Sequence, residues 1–596
     1  MKIGNKITSF QIIEHEVDFC VVGGGIAGML AAVSAARRGV RVVLMQDRPV
    51  LGGNASSEIR MWIRGAHGDD KRETGILEEI ALENIYRNPT LNYSIWDSVL
   101  YGITKFQDNL ELILNCACCD AEMDGDRIVS VQGYQTTTQQ WHMVKAKLFA
   151  DCSGDSVLAP LTGAQWRMGR EACSEFGEDI APEKSDACTM GMSCLLQARP
   201  TDHPVSYIPP KWANHYTKED FPFRMDFSTP DAWTHDNFWW IELGGTVDTI
   251  QDTETLRDRL LKITFGVWDF IKNSGVCAAE NWELDWVGFL PGKRESRRYV
   301  GDYIMTQSDV RSGGKFEDTI AYGGWTMDDH DPQGFDTTEP PNIFHPAPSP
   351  FGIPYRCVYA KNISNLFFAG RNISVSHTAF SATRVMATCG LLGQAVGTAA
   401  AIAVQNGLTP RGVYENKLPE LQKALMDDDC YLPGFRRSLS SIMTGAVITA
   451  GGQDAAVLIN GVDRPVDGID NCWRGKPGDE IILSFPQGTP VHTVRLVFDS
   501  ELNRDSWVNV DSEHKRYPQR CNVLTGSDDV YVPKAIVKEF TLSGFRRGEW
   551  KEIYAETNNY QRLVKIPVGG TYEKLRLIPK STWGADTVCL FAFDAE

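Results

Sequence analysis

The chain is 596 residues long, which is more than one hydrophobic core normally supports, so we expect two or three domains. Hydrophobic residues make up 42% and charged residues 23% of the sequence, as in ordinary globular proteins. The net charge of −18, with Lys and Arg scattered along the chain, argues against nucleic acid or an anionic membrane as a partner.

The sequence shows no targeting or membrane-spanning segment of the usual kinds. Residues 1–19 lack the apolar stretch of a signal peptide, and the small apolar run at 391–404 is interrupted by glycine, glutamine and threonine. The fifteen cysteines have no regular spacing, which in a chain without a secretion signal favours reduced thiols. We therefore expect a cytoplasmic protein.

A glycine-rich motif near the N-terminus has the form of a nucleotide-binding turn. Residues 17–22 predict a buried strand, Gly23, Gly25 and Gly28 supply G-x-G-x-x-G, and an alanine-rich helix then leads to a second strand at 40–45. Gly23 permits the tight turn, Gly25 lets a pyrophosphate approach the backbone, and Gly28 lets helix and strand pack closely. In this strand–turn–helix–strand context the motif predicts a dinucleotide site.

Gln46 ends the second strand, where an acidic residue usually accepts hydrogen bonds from ribose hydroxyls. Its carbonyl can accept one such bond and its amide can donate another. A neutral amide lacks the extra hydrogen-bond strength of a charged carboxylate, and the adjacent Asp47 could bind the ribose instead. The turn by itself therefore does not identify the nucleotide.

Four segments of the sequence resemble motifs of a known family, and this resemblance identifies the nucleotide. They are 45–54 (MQDRPVLGGN), 148–155 (LFADCSGD), 290–298 (LPGKRESRR) and 365–372 (NLFFAGRN). In chain order they resemble the E-K-x-x-x-L-G-G, A-T-G-D, G-x-R-E-S-R-R and late-strand motifs of the FAD-dependent oxidoreductase family, within the glutathione-reductase and fumarate-reductase class. The resemblance covers roughly residues 15–410 and implies FAD as the cofactor.

The same resemblance implies which residues hold FAD. Arg371 stands where the family usually has an Asp that contacts the ribityl chain, and residues 393–397 resemble a flavin-facing G-x-A-x-G helix segment. The implied FAD-binding residues are Gly23, Gly25, Ile26, Ala27, Gly28, Gln46, Asp47, Arg48, Gly52, Gly53, Asn54, Ser57, Ala117, Ser153, Gly154, Asp155, Gly370, Arg371, Gly393, Gln394 and Ala395.

Two absences argue against a disulfide reductase and against a second nucleotide site for NADH. No redox cysteine pair follows Gly52 and Gly53, and the sequence has no second G-x-G-x-x-G for NADH. Cys116 and Cys119 form a C-x-x-C, but their segment predicts two strands that turn at 124–126. We interpret these thiols as buried and inert, and we expect no metal site.

The predicted fold is α/β, with a Rossmann-like FAD-binding domain formed by residues 1–165 and 345–430 and an inserted α+β substrate domain at 166–344. Flat aromatic faces suit a ring-shaped polyol, and we expect the insert's tryptophans to form such a ligand surface rather than only a core. The residues concerned are Trp212, Trp233, Trp239, Trp240, Trp268, Trp282 and Trp286, beside His203, His215 and His235.

Oxidation of a carbinol needs a base for the hydroxyl proton, and His is the natural candidate near neutral pH. Fumarate-reductase-like proteins place a His and an Arg of the late region beside the flavin, which suggests His377 and Arg384 here. His67 lies near the Gly52–Gly53 turn and is the second candidate base.

Arg60, Arg294 and Arg384 are candidates to anchor hydroxyls or a carboxylate, or to stabilise a reduced anionic flavin. Glu295 and Arg297 are interpreted as a structural ion pair that takes no part in the chemistry.

After residue 434 the helical periodicity stops. Short alternating runs at 480–485, 491–498, 561–566 and 574–578 predict an antiparallel β-sandwich over 440–596. The region resembles an all-β, galactose-binding-like (discoidin-type) jelly roll. Such modules bind glycans in some enzymes and are only structural in others.

Together these features predict an FAD-dependent dehydrogenase that oxidises a secondary alcohol of a sugar or glycoside by hydride transfer to flavin N5. The expected partners are a small carbohydrate and an unidentified electron acceptor, and self-association into a homo-oligomer is left open. One alternative is a redox-neutral lyase or glycosidase that acts through transient oxidation. Another is a non-catalytic, glycan-binding flavoprotein.

Overall fold

The computed structural model describes residues 2–3, 6–7, 9–224, 237–502, 517, 519–520 and 529–596. The chain divides into two compact units. The first comprises Met1–Ala66, Asn92–Leu421 and Tyr517–Asp528, and the second comprises His67–Leu91, Gln422–Arg516 and Asp529–Glu596.

The α-helices of the described residues range from one to six turns. They are Ile26–Arg37, Ile76–Arg87, Tyr93–Lys105, Leu158–Thr162, Cys173–Phe176, Thr253–Asn273, Gln307–Arg311, His377–Thr383, Met386–Asn406 and Pro410–Asp427.

A seven-stranded mixed sheet forms the centre of the first unit. Four of its strand pairings are parallel, and the strands Cys116–Asp124 and Arg127–Gln135 add antiparallel. In spatial order the strands are Leu110–Ile113, Val42–Met45, Ile12–Val22, Gln140–Asp151, Arg127–Gln135 and Cys116–Asp124, and Leu366–Phe368 also pairs with Gln140–Asp151.

The central strands are apolar on both faces because helices or further chain cover both sides of a parallel sheet. All four residues of Val42–Met45 are buried, and so are the last five of Ile12–Val22. This confirms the strand–turn–helix–strand prediction and the α/β character of the N-terminal region.

Helix Ile26–Arg37 and helix Met386–Asn406 pack so closely that side chains are excluded at their contact. A Cβ atom on Gly393 would lie 2.0 Å from the carbonyl oxygen of Ala27, and one on Gly397 would lie 2.1 Å from that of Ala31. Gly393, Gln394 and Ala395, predicted to face the flavin, are instead buried in this helix. The prediction was wrong because small residues can mark a helix–helix contact as well as a ligand contact.

The same helix, Met386–Asn406, is long and apolar enough to cross a membrane by length and composition alone. Within the protein, 94% of its most apolar window is buried. It is thus a core helix of the first unit.

Smaller antiparallel sheets follow the central sheet in the first unit, and several of them carry residues of the site described below. The pairs are Trp166–Arg167 with Arg298–Tyr299, Leu196–Pro200 with Trp282–Val287, Thr319–Gly323 with Phe351–Pro354, Met327–His330 with Asn342–His345, and Lys2–Ile3 with Lys6–Ile7. A three-stranded sheet has the order Glu242–Leu243, Met192–Ser193, Gly292–Lys293.

Most of the predicted tryptophan ligand surface is a core. Trp240 and Trp268 are each 1% exposed and belong to a cluster around helix Thr253–Asn273, against which Trp239 and Trp282 pack. The ligand-surface prediction was wrong for Trp240, Trp268 and Trp282 because spacing along the chain does not reveal which face is buried, whereas Trp239 lines the cavity described below. Trp233 and His235 lie outside the described residues.

That cavity is not lined by Trp212, Trp286, His203 or His215. Trp212 is 48% exposed and packs edge-on against Phe265. His203 and His215 lie at the surface beside Asp202 and Asp269.

The second unit is dominated by antiparallel strands. The spatial order is Gln453–Asp454, Val447–Ala450, Ile481–Phe498, Leu563–Thr582, Val537–Arg546 and Glu549–Glu556, and Val588–Ala595 pairs with both Ile481–Phe498 and Trp473–Gly475.

The two longest strands of this unit replace the four short runs expected from the sequence. Ile481–Phe498 and Leu563–Thr582 pair along their length, with irregularities between Ser484 and Thr489 and between Val491 and Thr493. Both halves of each strand contribute to one buried core, as the two layers of a sandwich do. The all-β prediction is confirmed, while the jelly-roll topology stays a prediction.

Residues 67–91 belong to this second unit, although they were predicted within the 1–165 domain. The rings of Tyr86 and Tyr560 stack with centroids 3.9 Å apart, and the Tyr560 hydroxyl donates to Glu83 at 2.6 Å. Stacking by helix Ile76–Arg87 explains the assignment. The predicted 166–344 insert lies within the first unit and stays a prediction.

Two cysteine predictions need correction. Cys472 and Cys589 form a disulfide between neighbouring strands, with Cα atoms 6.2 Å apart, so the expectation of reduced thiols was wrong for this pair. Cys116 is buried as predicted, but Cys119 is exposed. The two lie on strand Cys116–Asp124, which is irregular between Cys118 and Asp120, and they differ in exposure.

The close helix contact can be tested with one substitution. Gly393→Ala is expected to lower the free energy of unfolding by about 1–3 kcal/mol, because its Cβ would meet backbone that cannot move aside. Urea denaturation of the purified protein measures the change.

Gly102→Ala is the matched control, since Gly102 is also helical and a Cβ there has nothing within 4 Å. It should be neutral or stabilising by up to about 1 kcal/mol. Equal effects of the two substitutions would contradict the packing argument.

Candidate active site

A cavity of about 570 Å³ lies in the first unit, where the parallel strands of the seven-stranded sheet end. The residues directly after three of these strands, Gly23, Gln46 and Cys152, all line it, and so does Gly370 after the fourth. Ligands of open α/β sheets bind at this edge, and the volume is that of a small-molecule site.

The glycine-rich turn forms one wall. Gly23 has φ +102°, and a Cβ there would lie 2.5 Å from the backbone nitrogen of Ser153. A Cβ on Gly25 would have only the Cα of Gly53 near it, at 3.8 Å, so this side of the turn is open to a ligand. Helix Ile26–Arg37 begins here, and its free N–H groups and dipole favour an anion such as a diphosphate.

Gln46 braces this turn from within. Its Oε1 accepts a hydrogen bond from the Gly24 backbone N–H at 2.6 Å, and its Nε2 donates to the Val50 carbonyl at 3.2 Å. The residue is 2% exposed. A carboxylate could accept the first bond but could not donate the second. These two bonds explain why an amide stands at this position.

Three charged residues meet beside the turn. Nζ of Lys293 lies 2.7 Å and Nη2 of Arg371 lies 2.9 Å from the carboxylate of Asp155. Burial raises the pKa of Asp155, but the two cations outweigh it and lower the pKa to about 2. Arg371 also packs against Gly154, where a Cβ would lie 2.8 Å from its guanidinium carbon. The position usually held by Asp in the family is therefore an ion-paired cation here.

The other end of the cavity holds a buried polar cluster. Nδ1 of His330 lies 2.7 Å from Glu242, and its Nε2 lies 3.2 Å from Oδ2 of Asp328 and 3.0 Å from Nη2 of Arg384. Arg384 also donates to Asp328 at 3.0 Å, and Arg294 lies 3.3 Å from Glu242. His330, Asp328, Arg384 and Arg294 line the cavity.

The close pairing in this cluster shifts the pKa values of its members towards their charged forms. Burial raises the pKa of Glu242, but Arg294 and His330 outweigh it and lower the pKa to about 2. The pKa of Asp328 is likewise lowered, against burial, by His330 and Arg384. Burial lowers the pKa of His330, yet Glu242 and Asp328 outweigh it and raise the pKa above its ordinary value. His330 is therefore a strengthened base between two carboxylates.

Three tryptophan rings also line the cavity. Trp62, Trp239 and Trp325 line it, and Trp239 packs edge-on against the His330 ring with centroids 5.3 Å apart. The Arg64 guanidinium lies over the rings of Trp62 and Trp325 at 4.9 and 5.4 Å. The cavity thus combines a glycine turn suited to an anion with aromatic faces and a proton acceptor.

The residues present fit a dinucleotide. The turn leaves room at Gly25, the helix N-terminus suits the diphosphate, and Arg48, Lys293 and Arg371 add cations to the same wall. The sequence profile of the FAD dependent oxidoreductase family matches residues 18–425. The chain belongs to this family. Its cofactor is FAD, and it is an FAD-dependent oxidoreductase.

Other comparisons add little beyond this. No curated protein matches the chain. The family 32 carbohydrate-binding module of Streptococcus pneumoniae EndoD is 15% identical over 26% of this chain and 99% of that one, with a TM-score of 0.20. Thermovibrio ammonificans THI4 is 17% identical over 28% of this chain and 76% of that one, with a TM-score of 0.21. TM-scores of this size do not establish a common fold.

The structure gathers most of the residues predicted to bind FAD around the cavity. Those that line it are Gly23, Gly25, Ile26, Ala27, Gln46, Asp47, Arg48, Gly52, Gly53, Asn54, Ala117, Ser153, Gly154, Asp155, Gly370 and Arg371. Their contacts with FAD stay predictions.

Besides the helix segment 393–395, Gly28 and Ser57 do not line the cavity. A Cβ on Gly28 would lie 1.8 Å from the Gly23 carbonyl oxygen, so Gly28 permits packing, as predicted for a Rossmann-like turn. The backbone N–H of Ser57 donates to Asp97 at 3.2 Å, so this group faces the protein. Both residues support the FAD site from behind.

His377, predicted as the catalytic base, is buried and does not line the cavity. Its Nδ1 lies 2.9 Å from Glu295, and its Nε2 lies 3.8 Å from Asp329. Burial lowers the pKa of His377, but these two carboxylates outweigh it and raise the pKa to about 9. The prediction of direct contact with substrate was wrong, because the imidazole points to two carboxylates behind the site.

Glu295 does not pair with Arg297 as expected. Its carboxylate binds Arg298 at 2.7 Å as well as His377, and it accepts from the Met190 backbone N–H at 3.0 Å. Arg297 lines the cavity and lies over the exposed Trp166 ring at 5.1 Å. The predicted pairing of Glu295 with Arg297 was wrong, because Arg298 and His377 are the partners of Glu295.

Two further catalytic candidates lie away from the cavity lining. Arg60 is held between the rings of Tyr93 and Trp286, at 4.8 and 4.5 Å, and donates to Gln197 at 2.8 Å. His67 belongs to the second unit. Of the five predicted catalytic residues, Arg294 and Arg384 line the cavity.

Sequence reasoning missed His330, Asp328 and Glu242. A signal was present at residues 327–331 (MDDHD), where a histidine is flanked by carboxylates just before the late FAD motif. Glu242 is 88 positions from His330 and offered no local signal. Among the described residues, no group of three or more His, Cys, Asp and Glu side chains is arranged to hold a metal ion.

The charge on His377 predicts a pH dependence of stability. Its pKa is about 9 in the folded protein and 6.5 for a free histidine, so its stabilising contribution is complete below pH 6.5 and is lost as pH rises to about 9. The free energy of unfolding in urea should fall over this range. His377→Gln should lower it by about 3 kcal/mol below pH 6.5 and flatten the profile, because Glu295 and Asp329 lose the positive charge of His377.

His203→Gln, a substitution at a surface histidine, is the control and should leave the profile unchanged. A wild-type slope that persists in His377→Gln would assign the pH dependence to other groups.

Proposed function

We propose that this FAD-dependent oxidoreductase oxidises a secondary alcohol of a sugar or glycoside. The observation that carries the proposal is the His330 cluster, which shares one cavity with the predicted FAD-binding residues. Three tryptophans line the same cavity, and aromatic faces beside polar groups suit the C–H faces and hydroxyls of a sugar ring.

His330 is the proposed base. With its Nδ1–H donating to Glu242, the neutral ring presents Nε2 as the acceptor beside Asp328 and Arg384. A substrate hydroxyl at this position gives its proton to Nε2, and Glu242 and Asp328 stabilise the imidazolium that forms. Bound FAD supplies the acceptance of hydride at N5 from the carbinol carbon. The ketone is the product, and an electron acceptor closes the cycle.

The cations of the cluster position the substrate. Nη1 of Arg294 donates to Ser193 at 2.8 Å, and its Nη2 donates to the Trp239 carbonyl at 3.0 Å. Arg384 is fixed by Asp328. These bonds hold each guanidinium in one orientation, so that the donors facing the cavity can bind hydroxyl groups without rearranging.

The first test is an anaerobic visible spectrum of the purified protein during addition of a panel of mono- and disaccharides. Bleaching of the oxidised flavin bands by one sugar, with the ketone found in the product, is the expected result.

Two other outcomes of the same experiment separate the alternatives. Persistent flavin bands with cleaved sugar in the product would indicate the redox-neutral lyase or glycosidase. Binding of sugar with neither bleaching nor product would indicate a glycan-binding flavoprotein. Either result contradicts the dehydrogenase proposal.

The role of His330 predicts the pH dependence of turnover. Only the neutral ring can accept a proton, and the pKa of His330 is raised above 6.5, so kcat/KM should increase with pH through a pKa above that value. His330→Asn should lower kcat/KM by roughly 10²–10⁴-fold and abolish this dependence.

His215→Asn, at the exposed pair with Asp269, is the control and should leave turnover unchanged. The same pH profile in His330→Asn as in the wild type would assign the base to another residue.

A further inference from the structure

We propose that Phe344 forms an outer subsite at the mouth of the cavity, which stacks on a second ring of the substrate. The ligand class is then a disaccharide or a glycoside with a ring-shaped aglycone. This inference rests on the proposed oxidation of a sugar and concerns the same cavity.

The hairpin that carries His330 also carries Phe344. Strands Met327–His330 and Asn342–His345 are antiparallel, and His330 pairs with Asn342 while Asp328 pairs with Phe344. Directly paired residues of a ladder project from the same face of the sheet. All four of these side chains line the cavity. The base, its carboxylate partner and the aromatic ring therefore share one face.

The hairpin holds this arrangement in place. Nδ2 of Asn342 donates to Oδ1 of Asp328 at 2.6 Å, which links the two strands across the cavity face. Asp328 is in turn fixed by Arg384 at 3.0 Å. The position of Phe344 is thus tied to that of His330 by one ladder pair and one side-chain bond.

Phe344 differs from its neighbours on this face in its exposure. His330 and Asp328 are buried, whereas Phe344 is 59% exposed although it lines the same cavity. Alternate residues of a strand lie about 7 Å apart, so Phe344 lies about one sugar-ring length further out than Asn342 and His330. An exposed aromatic ring at that distance from the reacting group is placed to stack on the ring that follows the oxidised one.

The same strand provides a matched control. Ile343 is 58% exposed, nearly as much as Phe344, but it pairs with Asp329 on the opposite face and does not line the cavity. Truncating either side chain removes an exposed apolar group from the same hairpin. Only the Phe344 substitution should affect a ligand in the cavity.

The experiment uses two derivatives of the sugar that bleaches the flavin. One is its methyl glycoside, and the other is a disaccharide that contains it. Dissociation constants are measured from the perturbation of the flavin absorbance bands by the ketone product of each, and KM is measured from turnover. Phe344→Ala should weaken binding of the disaccharide about tenfold and change binding of the methyl glycoside less than twofold. Ile343→Ala should change neither, and Phe344→Trp should retain disaccharide binding.

Equal weakening for both ligands, or the same effect from Ile343→Ala, would overturn the subsite and leave the sugar oxidation in place. The subsite would also be overturned if the wild type bound the two ligands equally and Phe344→Ala changed neither affinity. Failure of the wild type to bind or oxidise any sugar would overturn the proposed function together with the subsite.

Discussion

The first unit depends on a close approach between backbones that only glycine allows. Helix Ile26–Arg37 is pressed on one side against the turn at Gly23, through Gly28, and on the other side against helix Met386–Asn406, through Gly393. With the helix fixed between these two surfaces, its N-terminus has one position at the edge of the sheet. This packing therefore fixes where the predicted diphosphate site lies.

A second constraint organises the reacting end. The cavity residues Arg294, Asp328, His330 and Arg384 come from three separate chain segments, and each segment is tied to His377. Glu295, next to Arg294, binds the His377 ring, and Asp329, between Asp328 and His330, faces it from the other side. Arg384 caps the helix that begins at His377. A buried imidazolium behind the site therefore sets the geometry of groups that it does not touch.

The sequence allowed accurate prediction where function depends on local chain geometry. Gly23, Gly25 and Gly28 report their own backbone environment, so the turn and its flanking strands could be predicted. The cofactor was predicted from the resemblance of four further segments to one family. Whether a residue type faces a ligand or the core depends on distant chain. Trp240 and Gly393 were misassigned for this reason, and the partnership of Glu242 with His330 could not be seen.

The alternation of side chains along the hairpin has a consequence for how this region can change. Asp328 and His330 face the cavity, whereas Asp329 faces His377 on the other side. Inserting or deleting one residue in Met327–His330 would exchange these faces, giving the cavity the wrong carboxylate and leaving His377 opposite the wrong neighbours. The hairpin can accept substitutions, changes at its tip, or insertions and deletions of two residues. Inserting or deleting a single residue would disrupt both the cavity lining and the His377 ion pairs.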